Sequence, residues 1–196
     1  MKIPEILLLY CRSRTLLFDD PENISNIAYR AMNFLTLSAG DAIFIPADCP
    51  HAYLSGDIVE CMARSNNVLN TGFCPRADRD SIDIFTQTMT FAPHSADEVL
   101  LKPNPSSRGK SGKTEEYKPA MSEFNMMKTV LGREDKETIE AIDGPSILFV
   151  TTGSGKMTAE SKSYEVKEGF VYFIGQGVET SYMANQQLVI YRAYAE

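Results

Sequence analysis

A histidine, a tyrosine and a glutamate lie close together in one segment of the chain, and their side chains suit acid–base and metal chemistry. His51 and Tyr53 are two residues apart, so in an extended strand both side chains point to the same face. Gly56-Asp57 predicts a tight turn, and Glu60 lies on the strand that would follow it. The three residues offer a neutral imidazole for a divalent metal, a hydroxyl, and a carboxylate for proton transfer. We predict that they surround one barrel mouth.

The same segment also has ordinary structural explanations. A lone histidine in a strand is commonly a surface or hydrogen-bonded residue, and Glu60 could simply form an ion pair with Arg64. Cys49, His51 and Cys61 could in principle form a thiolate–imidazole metal site. Strand alternation places Cys61 on the opposite face from Glu60, which favours buried thiols instead.

Length and composition restrict the class of protein. The 196 residues are 43% hydrophobic and 23% charged, which predicts one or two folded domains rather than a disordered chain. The formal net charge of −7 argues against a nucleic-acid partner, because phosphate binding needs clustered Lys and Arg. A small anionic substrate is still compatible with this charge, since it needs only a local basic pocket.

Cysteine usage and hydropathy indicate the compartment. No apolar stretch has the length of a membrane span, and no secretory signal is convincing. The cysteines form no Cys-x-x-Cys pair and no disulfide-type spacing, which favours free thiols in a reducing compartment. They are Cys11, Cys49, Cys61 and Cys74. We therefore expect a cytoplasmic protein without a membrane partner.

The spacing of apolar residues predicts a mainly β chain. Short strands alternate with Gly-containing turns, a pattern typical of an antiparallel sandwich or barrel. Helical turns are expected over 19–32 and 78–89. In the first half the predicted strands are 34–37, 42–46, 51–55 and 58–64. In the second half they are 123–131, 145–152, 155–160, 163–167, 170–174 and 187–195.

One segment interrupts the strand pattern. Lys102–Lys118 is rich in Pro, Ser, Gly and Lys, and we interpret it as a mobile linker or long loop. The chain then divides into an irregular or helical segment 1–33, a first module 34–101, the linker 102–119 and a second module 120–196.

A repeat relates the two modules. Residues 37–54, LSAGDAIFIPADCPHAYL, align without a gap with residues 166–183, VKEGFVYFIGQGVETSYM, at an offset of 129. In this alignment His51 corresponds to Thr180. The pattern favours one working barrel and one structural barrel, although strand–turn–strand sequences also recur by chance in all-β proteins.

A glycine-rich motif in the second module has a simpler interpretation. Residues 153–157, GSGKM, have the composition of a phosphate-binding loop. The spacing Gly-x4-Gly-Lys-Ser/Thr is absent, so we interpret the motif as a hairpin turn.

Residues 50–76, PHAYLSGDIVECMARSNNVLNTGFCPR, resemble the signature segment of type I phosphomannose isomerases. The run LSAGDAIFIPAD and the later segments GSGKM, VKEGFVYFIGQG and YRAYAE are also similar to the second half of that family. The resemblance extends over roughly residues 20–196. It implies a zinc-dependent interconversion of mannose 6-phosphate and fructose 6-phosphate that feeds GDP-mannose synthesis.

The resemblance also implies a fold. We expect a mainly β protein with cupin-like jelly-roll barrels, one partial and one complete at the C-terminus, and few short helices. Residues 34–101 would then be the second half of the catalytic cupin domain, and 120–196 a cupin-like domain without metal. The complete family enzyme is expected to be a monomer.

Five residues acquire roles from the resemblance. His51 would be the last zinc ligand. Tyr53 and Arg76 would contact the phosphosugar substrate. Glu60 would be catalytic, together with Asn70, which stands where many members carry an Arg. Three arginines could supply the charge that Asn70 lacks: Arg64, Arg76 or Arg79.

The zinc ligands are incomplete. The family pattern also includes a Gln-x-His pair and a Glu from an earlier part of the chain. This sequence has no Gln-x-His, and its only histidines are His51 and His94. A catalytic zinc normally has three protein ligands. A second hypothesis therefore stays open, a catalytically inactive cupin fragment that acts as a sugar-binding or interaction module.

Overall fold

The computed structural model of the chain describes residues 6–12, 34–47, 49–65, 68–69, 82–88, 95–120 and 123–196. The chain forms two units, Met1–Leu101 and Lys102–Glu196. Antiparallel strands dominate both, and the described helices are short. The expectation of a mainly β, cupin-like fold is therefore confirmed.

The first unit contains a three-stranded antiparallel sheet with the order β2-β1-β3. Its strands are β1 (Ile6–Arg12), β2 (Ala42–Ile45) and β3 (Asp57–Met62). Two helices follow, α1 (Ile82–Thr88) and α2 (Ala96–Val99). Ile45 is buried and packs against Ile43, Cys49 and Ile58, which gives this sheet a small apolar cluster.

The second unit contains an eight-stranded antiparallel sheet with β11 near its centre. The order is β10-β8-β11-β6-β5-β4, while β7 pairs with β11 and β9 with β8. The strands are β4 (Asn104–Pro105), β5 (Thr114–Tyr117), β6 (Asn125–Leu131), β7 (Lys136–Ile139), β8 (Ser146–Ala159), β9 (Lys162–Lys167), β10 (Val171–Ile174) and β11 (Thr180–Tyr194).

Alternating side chains of the long strands form the core of the second unit. Leu148 and Val150 of β8 and Leu188 and Ile190 of β11 are almost fully buried. The period of two is what a sheet with one buried face requires. Each such side chain contributes about 1.5–3 kcal/mol when it leaves water.

The repeat found in the sequence has a structural counterpart. Strands β2 and β10 begin and end at positions that differ by 129 (171 minus 42 and 174 minus 45). Each strand is preceded by a turn whose glycine has positive φ, 101° at Gly40 and 85° at Gly169. The two turns also share a backbone hydrogen bond at matching positions, from Asp41 to Ser38 and from Phe170 to Lys167.

The prediction of a linker over 102–119 is wrong. The second unit begins at Lys102 rather than at residue 120, and Thr114–Tyr117 forms strand β5 against β6. Tyr117 is fully buried. The Pro-, Ser- and Gly-rich composition indicated flexibility, but the short TEEY run has enough buried positions to join the sheet.

A buried carboxylate also orders this segment. Glu137 of β7 has no exposed surface. It accepts backbone N–H groups of Ser111 and Lys113, both at 2.7 Å, and of Thr138 at 3.0 Å, and the Thr114 hydroxyl at 3.3 Å. Charge-assisted hydrogen bonds of this kind compensate the cost of burying the charge.

Three further predictions about the first unit differ from the structure. Ile6–Arg12 is a strand within the segment expected to be irregular or helical. Residues 34–37 and 51–55 adopt no strand; the first stretch runs into the Ser38–Asp41 turn and the second ends in a bend at Ser55 and Gly56. The helix expected over 19–32 lies outside the described residues.

Across the described ranges, no helix combines the length and apolarity needed to cross a membrane.

Replacing Glu137 by Gln should destabilise the second unit. The amide loses the charge and turns an N–H donor toward backbone N–H groups, so we expect a loss of about 2–3 kcal/mol in the free energy of unfolding. Chemical denaturation measures the change. The same substitution should speed tryptic cleavage at Arg108, Lys110 and Lys113.

Glu165→Gln provides the matched control, because Glu165 is an exposed carboxylate of β9. Its effect should stay within about 0.5 kcal/mol. Equal stability of the Glu137→Gln and Glu165→Gln proteins would contradict the role assigned to Glu137.

Candidate functional site

The structure places His51, Tyr53 and Glu60 next to one another. The chain bends at Gly56, whose φ is 127°, and enters β3 directly afterwards. The Tyr53 hydroxyl then reaches across the bend and donates to Glu60 Oε1 at 3.4 Å. The ring centroids of His51 and Tyr53 are 5.4 Å apart, with planes tilted by 50°. The turn and the alternation of β3 are sufficient to bring these side chains together.

The hydrogen bond of His51 selects its tautomer. Nδ1 lies 3.0 Å from the carbonyl oxygen of Cys49. A carbonyl only accepts, so Nδ1 carries the hydrogen and Nε2 keeps its lone pair. The side chain is exposed, which leaves Nε2 accessible. Metal-binding histidines commonly show this arrangement, in which the second nitrogen donates to a carbonyl.

Burial and the Glu60 carboxylate keep the neighbouring acidic groups protonated. The pKa of the Tyr53 hydroxyl is raised, first by burial and then by the charge and hydrogen bond of Glu60. Burial, followed by the Glu60 charge, raises the pKa of Cys61 to about 11. Burial also raises the pKa of Cys49. Tyr53 therefore remains a donor at neutral pH, and both thiols stay neutral.

Two alternatives from the sequence can be compared with this geometry. Glu60 and Arg64 are both described and exposed, and no ion pair joins them. The neutral, half-buried thiols of Cys49 and Cys61 favour packing over a thiolate–imidazole site, since the thiolate is the metal ligand.

Four residues singled out in the sequence lie outside the described residues. They are Asn70, Arg76, Arg79 and His94. The catalytic role of Asn70 and the substrate contact of Arg76 therefore stay predictions, as do the roles of His51, Tyr53 and Glu60.

Comparison with known proteins identifies the relatives of the chain. Residues 117–162 match the family model of the phosphomannose isomerase type I C-terminal domain. Mannose-6-phosphate isomerase of Emericella nidulans is 38% identical over 168 residues, which cover 81% of this chain and 36% of the relative. The chain is a relative of the type I phosphomannose isomerases.

A second enzyme and a solved structure agree with this assignment. Mannose-6-phosphate isomerase of Schizosaccharomyces pombe is 36% identical over 179 residues, covering 90% of this chain and 43% of the relative. The mannose 6-phosphate isomerase of Salmonella typhimurium, solved with its substrate f6p and zinc, superposes with a TM-score of 0.67. Its sequence identity is 26%, and the match covers 83% of this chain and 39% of that one. The chain thus spans less than half the length of these isomerases.

The described residues do not fit a complete catalytic zinc site. Among them, no group of three or more His, Cys, Asp and Glu side chains is arranged to hold a metal ion. His51 offers one nitrogen in the correct tautomer, whereas a catalytic zinc in proteins normally has three protein ligands. Any zinc bound at His51 therefore needs ligands from outside these residues.

In the second unit the position equivalent to His51 is Thr180, which accepts a hydrogen bond from a buried guanidinium. Thr180 is fully buried, and its hydroxyl accepts from the Tyr182 hydroxyl at 2.9 Å and from Arg192 Nη1 at 3.0 Å. Arg192 Nε donates to Ser146 Oγ at 2.9 Å. Burial lowers the pKa of Arg192, which is 3% exposed. A buried cation thus lies beside the position that corresponds to His51.

Sequence reasoning missed Arg192. The signal that could have found it is the alternation of β11, in which Leu188, Ile190, Arg192 and Tyr194 share one face. A charged residue in an otherwise apolar row predicts a buried polar contact.

Replacing Glu60 by Gln should lower the pKa of Cys61. Removal of the nearby negative charge favours the thiolate, although burial still dominates. At pH 9 we expect alkylation of Cys61 by iodoacetamide to speed up about threefold, which corresponds to a pKa lower by about half a unit. Peptide mass spectrometry over a range of pH separates Cys61 from the other cysteines.

Asp57→Asn removes a carboxylate from the other end of β3 and serves as the control. It should leave Cys61 reactivity within the error of the measurement. Identical pH profiles for wild type and Glu60→Gln would show that the Glu60 carboxylate points away from Cys61.

Proposed function

We propose that this chain takes part in the interconversion of mannose 6-phosphate and fructose 6-phosphate, as a mannose-6-phosphate isomerase. The observation that carries the proposal is the contact of Tyr53 with Glu60 beside the free Nε2 of His51. The relation to isomerases over more than 80% of the chain supports it.

Glu60 is suited to the proton transfer. The reaction moves a proton between C1 and C2 of the sugar through an enediol, and a carboxylate at hydrogen-bond distance can accept and return that proton. Glu60 is exposed, so substrate can reach it, while Tyr53 holds one of its oxygens. The Tyr53 hydroxyl thereby orients the carboxylate toward the sugar.

We infer that His51 contributes one imidazole to a zinc ion whose other ligands lie outside the described residues. Bound zinc would act as a Lewis acid on the sugar oxygens. The Nδ1 hydrogen bond to the Cys49 carbonyl holds the His51 ring with Nε2 free for this contact. Asn70 would lie at the reacting end of the sugar, and Arg76 would bind its phosphate.

The cellular setting is part of the same proposal. An isomerase of this type in the cytoplasm would supply mannose 6-phosphate for GDP-mannose synthesis. The free thiols of Cys49 and Cys61 are compatible with a reducing compartment. We further propose that the complete enzyme is a monomer.

A second function competes with catalysis. The described residues contain no three-ligand metal group, and this favours an inactive cupin-like module that binds sugar or another protein. The two functions differ in zinc content and turnover rather than in fold.

The deciding experiment measures isomerisation of mannose 6-phosphate in a coupled assay, with zinc content determined on the same sample. Isomerase function requires the wild-type chain to turn over and to hold zinc, with the ligands other than His51 supplied from outside the described residues. Glu60→Gln should keep its zinc and lose at least about 100-fold in kcat, because it removes the proton acceptor. His51→Ala should lose zinc, and activity with it.

Glu165→Gln, in the second unit, is the matched control and should behave as wild type. Zinc binding by His51→Ala equal to that of wild type would refute the ligand assignment. A wild-type protein that binds mannose 6-phosphate but neither holds zinc nor turns over would establish the inactive module instead.

A further inference from the structure

The second unit contains a cleft that the proposed isomerisation does not use. Its volume is about 490 Å³, within the range of roughly 300–1,000 Å³ typical of small-molecule sites. The side chains around it are all polar: Thr152, Ser154, Lys167, Glu168, Gln186 and Gln187. These side chains end in polar groups, while their aliphatic carbons and Gly153 add about as much apolar surface, a combination that suits a ligand with both hydroxyl groups and C–H faces.

A register shift between β8 and β11 creates the cleft. Ala184 pairs with Gly155, and the next pair joins Leu188 to Gly153, so three residues of β11 face a single residue of β8. Those three, 185–187, bulge out of the sheet. Ser154 pairs instead with Lys167 of β9 on its other side. The cleft lies between this bulge and the Lys167–Phe170 turn that follows β9.

The floor of the cleft is closely packed backbone. Gly153 has a φ of 80°, and a Cβ atom placed there would lie 1.5 Å from the carbonyl oxygen of Gln187. The backbone N–H of Glu168 donates to the Gly153 carbonyl at 2.9 Å. Only glycine permits this approach. These contacts fix the spacing of the backbone segments around Gly153, Glu168 and Gln187. Ligand binding would therefore not have to order the backbone.

The lining offers donors and acceptors in the balance that sugar hydroxyls require. The two primary amides and two hydroxyls each both donate and accept, Glu168 accepts, and Lys167 donates. The Lys167 ammonium lies 4.9 Å from the Phe170 ring centroid, which restrains it at the rim. The charges of Lys167 and Glu168 cancel, so the cleft has no net attraction for an isolated anion.

We propose that this cleft binds a polyhydroxylated sugar ring through its hydroxyl groups. Mannose and mannose 6-phosphate share that chemistry. The contacts are exposed and exchange with water, so binding is weak, with a Kd of the order of a few millimolar. The site belongs to the second unit and is independent of catalysis at Glu60.

The test is an NMR titration of the full 196-residue chain with mannose, mannose 6-phosphate, glycerol and inorganic phosphate. We expect saturable amide shifts at 152–154, 167–168 and 185–187 with both sugars, and none with glycerol. The double variant Gln186→Ala/Gln187→Ala should weaken sugar binding at least fivefold. Its spectrum without ligand reports whether the fold is intact.

Gln176→Ala is the matched control, because Gln176 is an exposed glutamine of the same unit outside the cleft. Binding should also survive His51→Ala, which separates this proposal from the isomerase proposal. Three results would overturn it: no saturable shifts at these residues, equal affinity in the double variant and the Gln176→Ala control, or equal shifts with inorganic phosphate alone. The last would indicate an anion at Lys167.

Discussion

The antiparallel pairing of β11 determines the form of the second unit. This one strand forms ladders with β6, β7 and β8, so its fifteen residues connect most of the sheet. One face of β11 carries the apolar core and also the buried guanidinium of Arg192. Because Ser146 of β8 and Thr180 of β11 accept hydrogen bonds from two of its nitrogens, the polar contact and the strand register depend on each other.

Local signals in the sequence predicted much of the fold. Alternation and turn glycines located β2, β3, β6, β9, β10, most of β8 and the C-terminal half of β11, because these signals act within a few residues. Strand β7 and the first half of β11 were not predicted. The turn before β2 and the turn before β10 were recognisable from Gly40 and Gly169, where the backbone needs positive φ. The hairpin turn predicted at 153–157 was wrong, since β8 continues through Gly153 as one strand from Ser146 to Ala159.

Contacts between distant residues explain what the sequence did not predict. The segment after Lys102 has the composition of a linker, but Glu137 orders it from 24 and 26 positions further along the chain. Arg192 likewise finds Ser146 at a separation of 46 residues. At the candidate site the opposite holds, because Tyr53 and Glu60 are only seven residues apart and a single bend joins them. The remaining zinc ligands could not be predicted, since no pattern in this chain encodes them.

The bulge of β11 has a consequence for evolution. Residues 185–187 leave the sheet between two intact ladders, and their side chains are exposed. Insertions or deletions there would change neither the buried side chains of β11 nor its pairing with β8 on either side of the bulge. Gly153 faces the opposite constraint, because every other amino acid would collide with the Gln187 backbone. Among relatives, we therefore expect variable loop length at the bulge opposite an invariant glycine.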